Sequence, residues 1–390
     1  MDAHIARRVA DVQQSGIRRY SAACAAMGGV NLSQGVCDQP APPEVKSAAM
    51  AAIDADLATY THMRGIAELR RAIAEKMRSF NGITADAESQ IVVTVGTAGA
   101  FACAVLTLLN PGEEAIVFSP FYSYHVNALQ LFGARIRFVD THPPDWRYSS
   151  EELAAAFNEN TRLILINTPA NPSGKMFSEA ELSEIAALTR KHDVVIVTDE
   201  IYEYITYGSP HVSIGRLPEA RERTVTISGA SKTYAVTGWR VGYVVAPAVL
   251  AEKMAVVSDQ LYICSPAPLQ HGIVAGMRLP ERYYEQMRRD YQAKRDLLAD
   301  TLREIGFDPF VPEGSYYMLA AFEPGRFADG TNAAERILEE VGVAAVPGSC
   351  FYRDPEEGRH QLRFCYAKQM ADLEEGCRRL RKLAVSAGRR

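Results

Sequence analysis

The stretch Ser228-Gly229-Ala230-Ser231-Lys232-Thr233-Tyr234-Ala235-Val236-Thr237-Gly238-Trp239-Arg240-Val241-Gly242-Tyr243 is the most informative part of this chain. It places one lysine, Lys232, among small and hydroxyl residues, and a single arginine, Arg240, follows after a short loop. A lysine amine can lose its proton when it is desolvated, and it can then form a Schiff base. An arginine stays charged at any working pH and suits a permanent anion such as a phosphate. A cofactor that has both a carbonyl group and a phosphate needs both residues, and pyridoxal 5'-phosphate is the obvious candidate.

On both sides of this stretch, apolar β-rich segments alternate with amphipathic helical segments from about residue 90 to 246. Several of the β-rich segments are almost wholly apolar, as expected of strands that are covered on both faces of a sheet. Between them, segments such as 178–192 carry apolar residues at helical spacing. This order predicts an α/β fold with a mostly parallel seven-stranded sheet flanked by helices. The predicted strands are 90–95, 114–118, 135–139, 162–167, 194–198, 224–228 and 241–246.

A smaller α+β unit is predicted after this region. The segment after Pro280 reads as a long helix to about Ile305, and a proline-rich stretch at 39–43 suggests that the N-terminal residues form an arm or join the second unit. Its predicted strands lie near 316–322, 344–346 and 361–367. The predicted division is an N-terminal arm and part of the small domain over 1–45, a large cofactor-binding domain over 46–285, and a C-terminal small domain over 286–390.

Composition excludes several classes of protein. The chain has 390 residues and a formal net charge of -5, without a basic run that would suggest nucleic-acid binding. It has no apolar run of about 18 residues, and its first residues lack the order of a signal peptide, so no membrane span is expected. Seven scattered cysteines without a Cys-x-x-Cys pair fit reduced thiols in a cytoplasmic protein. The eight histidines show no pair at metal-ligand spacing, so no metal site is predicted.

Polar residues collect where predicted strands end, and ligands bind beyond those ends in an open α/β sheet. The small residues of 96–101 would let backbone N–H groups approach a phosphate, although a simple tight turn gives the same pattern. Asn171 could donate to a ligand oxygen, and an asparagine that bonds its own backbone is the alternative. Asp199 ends an apolar strand, where a buried carboxylate needs a cation such as a pyridinium N–H. A helix N-cap is the alternative for Asp199.

Three further residues fit a planar, anionic ligand. Tyr202 could reach a phenolate oxygen on the ring that Asp199 contacts. Tyr122 ends another strand and could stack on a ring, with ordinary core packing as the alternative. Arg363 lies in an apolar strand, where an arginine needs an anion. A substrate carboxylate would form a bidentate pair with it, and a structural salt bridge is the alternative.

Taken together, these motifs resemble the class I/II aminotransferases of the fold-type-I pyridoxal-phosphate superfamily, in the branch that holds aspartate, aromatic and kynurenine/glutamine transaminases. The motifs follow the order of that family from about Asn31 to Ala367. Asn-Pro-Ser-Gly at 171–174, Asp-Glu-Ile-Tyr at 199–202 and Ser-Lys-Thr-Tyr-Ala-Val-Thr-Gly-Trp-Arg at 231–240 are jointly very specific. The resemblance implies an enzyme that moves the α-amino group of an amino acid to a 2-oxo acid by a ping-pong mechanism with pyridoxal 5'-phosphate.

The resemblance also implies roles for individual residues. Lys232 would form the Schiff base and shuttle the substrate proton, and Asp199 would keep the pyridine nitrogen protonated. The ring would further be held by Asn171 and Tyr202 at its phenolate oxygen and by Tyr122 on its face. The phosphate would bind Thr97, Ala98, Ser231 and Arg240, together with Tyr60 of a neighbouring subunit, which implies a homodimer with shared active sites. The substrate would bind Arg363, Gly35 and Asn171, and Tyr262 would reach it from the other subunit.

Three features depart from the family pattern. Many relatives carry a hydroxyl three positions before the lysine, whereas this chain has Gly229, so Ser228 or Ser231 would meet the phosphate. The segment 34–39 lacks the aromatic residue that often follows its aspartate. No second arginine for a substrate side-chain carboxylate stands out, which favours an aromatic or other neutral amino donor. The alternatives are an aspartate aminotransferase or a C–S β-lyase, and a DNA-binding regulator is disfavoured because the family motifs begin near Asn31.

Overall fold

The computed structural model describes residue 4, residues 6–10 and residues 16–387. The predicted N-terminal arm therefore lies partly outside the described residues, and the division into three segments stays a prediction. The strands are β1 Val30–Asn31, β2 Ile91–Val95, β3 Glu114–Ser119, β4 Arg135–Asp140, β5 Thr161–Asn167, β6 Val195–Asp199, β7 Thr224–Gly229, β8 Val241–Val245, β9 Phe307–Phe310, β10 Tyr317–Phe322, β11 Val343–Ala344, β12 Val346–Pro347 and β13 Gln361–Cys365. The helices are α1 Arg7–Ala10, α2 Gly16–Ala26, α3 Pro43–Asp54, α4 Ala67–Lys76, α5 Gly96–Leu108, α6 Ser123–Leu131, α7 Ser150–Ala156, α8 Glu179–His192, α9 Ala230–Thr233, α10 Ala248–Tyr262, α11 Ala267–Gly276, α12 Glu281–Glu304, α13 Gly330–Val341, α14 Met370–Leu380 and α15 Lys382–Ala387.

The central sheet has seven strands in the order β2-β8-β7-β6-β5-β3-β4. The neighbouring pairs β7–β6, β6–β5, β5–β3 and β3–β4 are parallel, whereas β8 runs antiparallel to both β2 and β7. The prediction of a mostly parallel seven-stranded sheet is therefore confirmed. The reversal of β8 follows from its short connection, because residues 230–240 contain only one helical turn and no crossover helix long enough to join parallel strands.

This strand arrangement brings the polar loops together. Strands β2, β3, β5, β6 and β7 all point the same way, so their carboxyl ends meet at one edge of the sheet. The antiparallel β8 begins at that same edge, which places Arg240 beside the other loops. The site predicted from separate motifs is thus assembled by the sheet topology.

Apolar strands and amphipathic helices explain why the sheet is covered on both faces. Side chains of β2, β3, β5 and β6 form one cluster with α5 and α10, and alternate side chains of β3, β5 and β6 form another with α7 and α8. Helix α8 begins with a capping box, in which Ser178 and Glu181 bond each other's backbone N–H groups. Among the described residues, no helix combines the length and the apolar character that crossing a membrane requires.

The second sheet is antiparallel and has the order β12-β13-β10-β9. Helix α12 confirms the predicted long helix after Pro280. The predicted strand at 344–346 is wrong as one element, because β11 pairs in parallel with β1 while β12 pairs with β13. The pairing of β1 ties the N-terminal segment to this part of the molecule, and the next residue, Leu32, accepts a bond from the backbone of Cys365 at 2.7 Å.

A close backbone approach between β8 and the turn after β2 depends on two glycines. Gly96 has a φ of 66°, in the left-handed region that favours glycine. A Cβ atom on Gly242 would lie only 2.7 Å from the backbone nitrogen of Thr97, so this position leaves no room for a side chain. The turn that begins α5 can therefore rest directly on β8.

We predict that Gly242→Ala destabilises the fold by about 1–3 kcal/mol, because the first turn of α5 must move to make room for the methyl group. The free energy of unfolding in urea measures this effect. Gly238→Ala is the matched control, because a Cβ atom there has no neighbour within 4 Å, and we expect a change of no more than about 1 kcal/mol. Equal stability of the two variants would contradict the assigned contact.

Candidate active site

A cavity of about 310 Å³ lies at the strand-end edge of the central sheet and contains most of the residues predicted from the sequence. Eleven of the thirteen predicted site residues line it: Gly35, Thr97, Ala98, Tyr122, Asn171, Asp199, Tyr202, Ser231, Lys232, Arg240 and Arg363. Tyr60 and Tyr262 do not. The loops after β2, β3, β5, β6 and β7 thus converge as their positions in the sheet require.

Lys232 lies in the single turn of α9 directly after β7. Its Nζ donates to the carbonyl oxygen of Gly35 at 3.3 Å, and aromatic rings of Tyr202 and Tyr316 lie 5.9 and 5.6 Å from it. Burial lowers the pKa of the Lys232 amine, and the nearby Arg240 acts in the same direction. A lowered pKa makes the neutral amine, which is the nucleophilic form, more accessible.

Asp199 is the last residue of β6 and is buried. Its Oδ2 lies 3.0 Å from Nε2 of His125, and its Oδ1 accepts a bond from the backbone N–H of Ile201 at 3.2 Å. The sequence analysis did not identify His125. Its position in the first turn of α6, three residues after Tyr122, was the available signal. No helix follows β6, because residues 201–204 form turns, so the Ile201 bond is a local turn contact and the helix N-cap alternative for Asp199 is wrong.

The turn at the start of α5 and the Arg240 side chain form one wall of the cavity. A Cβ atom on Gly96 would collide with the Arg240 guanidinium, whose Nη1 donates to the carbonyl oxygen of Thr237 at 2.9 Å. Of the two candidate serines, Ser231 lines the cavity, whereas the buried Ser228 donates to Glu203 at 2.6 Å. This geometry favours Ser231 as the hydroxyl that faces a ligand.

Arg363 is fully buried, and the described residues offer it no carboxylate partner. Its Nη1 donates to Asn171 Oδ1 at 3.0 Å and its Nη2 to the carbonyl oxygen of Ser33 at 2.6 Å, while its Nε has no partner. The rings of Tyr317 and Phe351 lie 4.3 and 4.6 Å from the guanidinium. The alternative of a structural salt bridge therefore finds no support in the described residues. The geometry suits a guanidinium that receives an anion from outside the chain.

Aromatic rings form another wall of the cavity. Tyr122 is stacked on Tyr124 with a centroid distance of 5.2 Å and meets the His125 ring edge-on at 5.2 Å. The Tyr202 hydroxyl donates to the hydroxyl of Tyr317 at 3.4 Å. Burial raises the pKa of Tyr202 well above its usual value, so this phenol stays protonated and can donate a hydrogen bond.

Tyr60 and Tyr262 lie outside the cavity of their own chain. Tyr60 is 78% exposed and Tyr262 is 37% exposed. Tyr262 ends α10 and packs against the first turn of α5 near Gly99. Neither ring is brought to Lys232 within one chain.

A buried polar network lies beneath the loop that follows β6. Three potential metal ligands, Glu200, Glu203 and His211, have ligand atoms within 4.8 Å of one another. The Lys76 ammonium already pairs with Glu203, and Asn81 donates to Glu203 at 2.8 Å. Burial alone would raise the pKa of Glu203, but the adjacent Lys76 outweighs it and lowers the pKa. The network therefore has an internal cation and anchors the turn that carries Asp199.

The seven-stranded α/β sheet is that of the fold-type-I aminotransferases, and it carries a lysine, a carboxylate and a buried arginine at its strand ends. The sequence matches the family described as aminotransferase class I and II over residues 28–380, and the chain belongs to this family. Members of this class depend on pyridoxal phosphate. The enzyme is therefore an aminotransferase.

Individual relatives match over nearly the whole chain. The methionine aminotransferase of Escherichia coli is 33% identical, over 91% of this chain and 92% of that protein. The aspartate aminotransferase of Pyrococcus abyssi is 34% identical, over 95% of this chain and 96% of that protein. The solved structure of N-succinyldiaminopimelate aminotransferase from Mycobacterium tuberculosis has a TM-score of 0.94 and 33% identity, over 97% of this chain and 100% of that chain. These names span different substrates, so the family match leaves the substrate open.

We predict that two lysine substitutions have opposite effects on the cofactor-free protein. The pKa of Lys232 is lowered in the folded protein, so the unfolded chain binds the proton more tightly. The contribution of this residue to the free energy of unfolding therefore rises as the pH rises towards about 10.4, the usual pKa of a lysine in an unfolded chain. Lys232→Met should therefore increase the free energy of unfolding at pH 7, and increase it by less at pH 9.5.

Lys76→Met is the contrasting variant, because Lys76 forms a buried pair with Glu203 that raises the pKa of the lysine despite its burial. Removing one partner of such a pair leaves an uncompensated charge, and we expect a loss of about 3–5 kcal/mol. Urea unfolding at the two pH values measures both effects. A destabilising Lys232→Met variant would show that this lysine is a structural cation.

Proposed function

We propose that this chain is a homodimeric, pyridoxal-phosphate-dependent aminotransferase that passes the α-amino group of an aromatic or other neutral amino acid to a 2-oxo acid. The observation that carries the proposal is the buried Arg363, which has a free Nε and no carboxylate partner among the described residues, in the same cavity as Lys232. A permanent cation that is kept dry needs an anion, and the α-carboxylate that all amino acids and 2-oxo acids share supplies one.

The residues of the cavity fit pyridoxal phosphate. Arg240, Ser231 and the first N–H groups of α5, at Thr97 and Ala98, would hold the phosphate, because helix N-termini and guanidinium groups both bind phosphates. The Arg240 guanidinium can occupy its place in the cavity wall because position 96 has no side chain. Asp199 would pair with the ring nitrogen, Asn171 and Tyr202 would donate to the phenolate oxygen, and Tyr122 would cover one ring face.

When it is bound, the cofactor supplies a protonated ring that stabilises negative charge at the substrate Cα. The rest of the chemistry belongs to the chain. Lys232 would first hold the cofactor covalently and then, once the substrate amine has replaced it, carry the proton away from Cα and return it. Its lowered pKa favours the neutral amine, which is the form that acts as a base. Asp199, oriented by His125, would keep the positive charge on the ring nitrogen.

Arg363 would fix the substrate by its α-carboxylate and so hold the Cα–H bond in one orientation. The backbone of Gly35 would contact the same carboxylate. Position 35 has room for glycine alone, because a Cβ atom there would overlap the Tyr317 hydroxyl. The aromatic wall formed by Tyr122 and Tyr124 supports a neutral donor side chain.

The homodimer is proposed from exposed apolar side chains. Large apolar side chains are exposed in two segments, at Leu57 and Tyr60 and at Leu261, Tyr262 and Ile263. Apolar surface of this kind is expected to be covered in an oligomer. Packing of a second copy would bring the partner's Tyr60 to the phosphate and the partner's Tyr262 to the substrate. A cytoplasmic location stays a prediction from the cysteine pattern, and all seven cysteines are free thiols.

A half-reaction screen tests the function. The purified holoenzyme is mixed with each amino acid in turn, and the loss of absorbance from lysine-bound cofactor is followed. We expect phenylalanine, methionine or glutamine to react faster than aspartate. Lys232→Ala, which has no lysine-bound cofactor to follow, should retain cofactor and release no 2-oxo acid from any of them, whereas Lys191→Ala on the exposed side of α8 should behave like the unmodified enzyme. Release of pyruvate from a cysteine conjugate without any oxo acid would instead indicate β-elimination.

We predict that Tyr60→Phe weakens cofactor binding about tenfold, because a hydrogen bond to a charged phosphate is lost. Equilibrium dialysis of the cofactor measures the affinity, and the mass in solution should stay that of a dimer. Tyr148→Phe is the control, since its hydroxyl bonds Glu184 at 2.9 Å and does not line the cavity. A monomeric mass would overturn the proposed sharing of active sites.

A further inference from the structure

A buried hydroxyl beside Lys232 has no role in the chemistry described so far. Tyr316 directly precedes β10, and its side chain is fully buried. Its hydroxyl donates to the carbonyl oxygen of Gly35 at 3.1 Å, and the Lys232 Nζ donates to the same oxygen at 3.3 Å. One backbone oxygen therefore accepts two bonds, one from the turn after β7 and one from the segment before β10.

The two donors differ in their freedom to move. Packing holds the Tyr316 ring, because three other aromatic rings surround it. They belong to Tyr202, which it meets edge-on at 5.0 Å, to Tyr317 at 4.9 Å and to Tyr291 at 5.9 Å. The Lys232 amine stands instead at the end of a flexible four-carbon stem and can leave the carbonyl oxygen by rotation about its own bonds.

Burial also fixes the protonation of the Tyr316 hydroxyl. It raises the pKa of this phenol well above its usual value, so the phenol keeps its proton and donates it to Gly35. A carbonyl oxygen has two lone pairs and accepts both bonds at once. The two donors nevertheless share the electron density of one oxygen, so each weakens the bond of the other.

In the proposed function, the Lys232 amine holds the cofactor covalently in one state and is free in the other. In the covalent state it no longer donates to Gly35. A carbonyl oxygen that loses its donor away from water is destabilised, and the Tyr316 hydroxyl is the donor that stays. The Gly35 backbone therefore keeps its position in both states, and the freed amine has an acceptor at the place that it left.

We propose that Tyr316 is a positioning residue, whose hydroxyl holds the Gly35 carbonyl in place while the Lys232 amine leaves it and returns to it. This inference rests on the proposed function and adds a residue to it. An amine that is held at Gly35 stays inside the cavity, from which it would carry the Cα proton. Because Tyr316 shares the oxygen, the carbonyl also binds the charged form of the amine less tightly and so favours the neutral form.

Cyanate labelling of the cofactor-free protein tests this contact without any turnover. Cyanate carbamylates neutral amines, so the pH dependence of labelling, mapped to Lys232 by mass spectrometry, reports the protonation of this residue. In Tyr316→Phe the charged amine is the remaining donor to Gly35, and we expect the midpoint to move up by about 0.5–1 pH unit. The exposed Lys191 is the internal reference in each sample.

Tyr207→Phe is the matched control for the loss of a buried hydroxyl. The Tyr207 hydroxyl donates at 2.7 Å to the carbonyl oxygen of Ser315, the residue before Tyr316. Both variants lose one hydrogen bond in the same segment, but only Tyr316→Phe alters the bonding of Gly35, so the midpoint should stay unchanged in Tyr207→Phe. The other titratable groups that face Lys232 are the same in both variants, namely Cys37, Cys365, Asp199, Arg240 and Tyr202.

The half-reaction of the holoenzyme provides a second measurement, with the fastest donor among phenylalanine, methionine and glutamine. Tyr316→Phe should lower the rate constant at saturating donor about tenfold. The donor concentration at half-maximal rate should change less than about threefold, because Arg363 still binds the α-carboxylate. Cofactor affinity by equilibrium dialysis should stay unchanged, and Tyr207→Phe should keep its rate constant within about twofold.

A labelling midpoint or a rate constant in Tyr316→Phe that matches that of Tyr207→Phe would overturn the role of Tyr316. A loss of cofactor affinity that accompanies the loss of rate would overturn it as well, because the hydroxyl would then serve the fold alone. Failure of the unmodified holoenzyme to react with any of the donors would instead overturn the proposed function, while labelling of the cofactor-free protein would still test the shared carbonyl.

Discussion

A guanidinium buried without a carboxylate partner is the constraint around which this molecule is arranged. Arg363 extends from the second sheet, yet its hydrogen-bond acceptors are Asn171, from a loop of the central sheet, and Ser33, from the N-terminal segment. Burying a charge costs several kcal/mol unless other groups compensate. Neutral dipoles from two separate parts of the chain do so here, and they leave the Nε–H group without a partner. Satisfying this one cation therefore fixes the relative positions of three segments.

The charge of Lys76, which is buried beneath the site, is compensated by a carboxylate instead of by neutral dipoles. Lys76 pairs with Glu203 inside a network that also includes Asn81, and each partner stabilises the charge of the other. Because the two charges compensate each other, the pair offers no uncompensated charge to a ligand. Lys232 has only a carbonyl oxygen as its hydrogen-bond acceptor, and burial lowers the pKa of its amine. The difference distinguishes a lysine whose charge is compensated by a carboxylate from a lysine whose charge is not.

The sequence predicted the central sheet to within about two residues for each strand, because buried strands leave long apolar runs and their ends carry polar motifs. Site residues that lie in these polar motifs could be predicted for the same reason. His125 was missed, because its role depends on which face of α6 is turned to Asp199, and its spacing of three residues from Tyr122 was the one local signal. The merged strand at 344–346 failed for a related reason, since its two halves pair with partners that lie far away in the chain. Gly229 appeared as a missing hydroxyl, and the structure gives a steric reason: a Cβ atom there would lie 2.9 Å from the Cα atom of Gly242.

The segment from Ser33 to Val36 joins these observations. Its carbonyl oxygens accept bonds from Arg363, Lys232 and Lys368, while the preceding strand β1 pairs with β11. The partial negative charges of these carbonyl oxygens thus compensate part of the positive charge of the three side chains. In the proposed function, a carboxylate that binds Arg363 would compete with the Ser33 carbonyl, and a covalent bond at the Lys232 amine would release the Gly35 carbonyl. Both events would then act on one short piece of backbone, and ligand occupancy at two points would be coupled to the position of the second sheet.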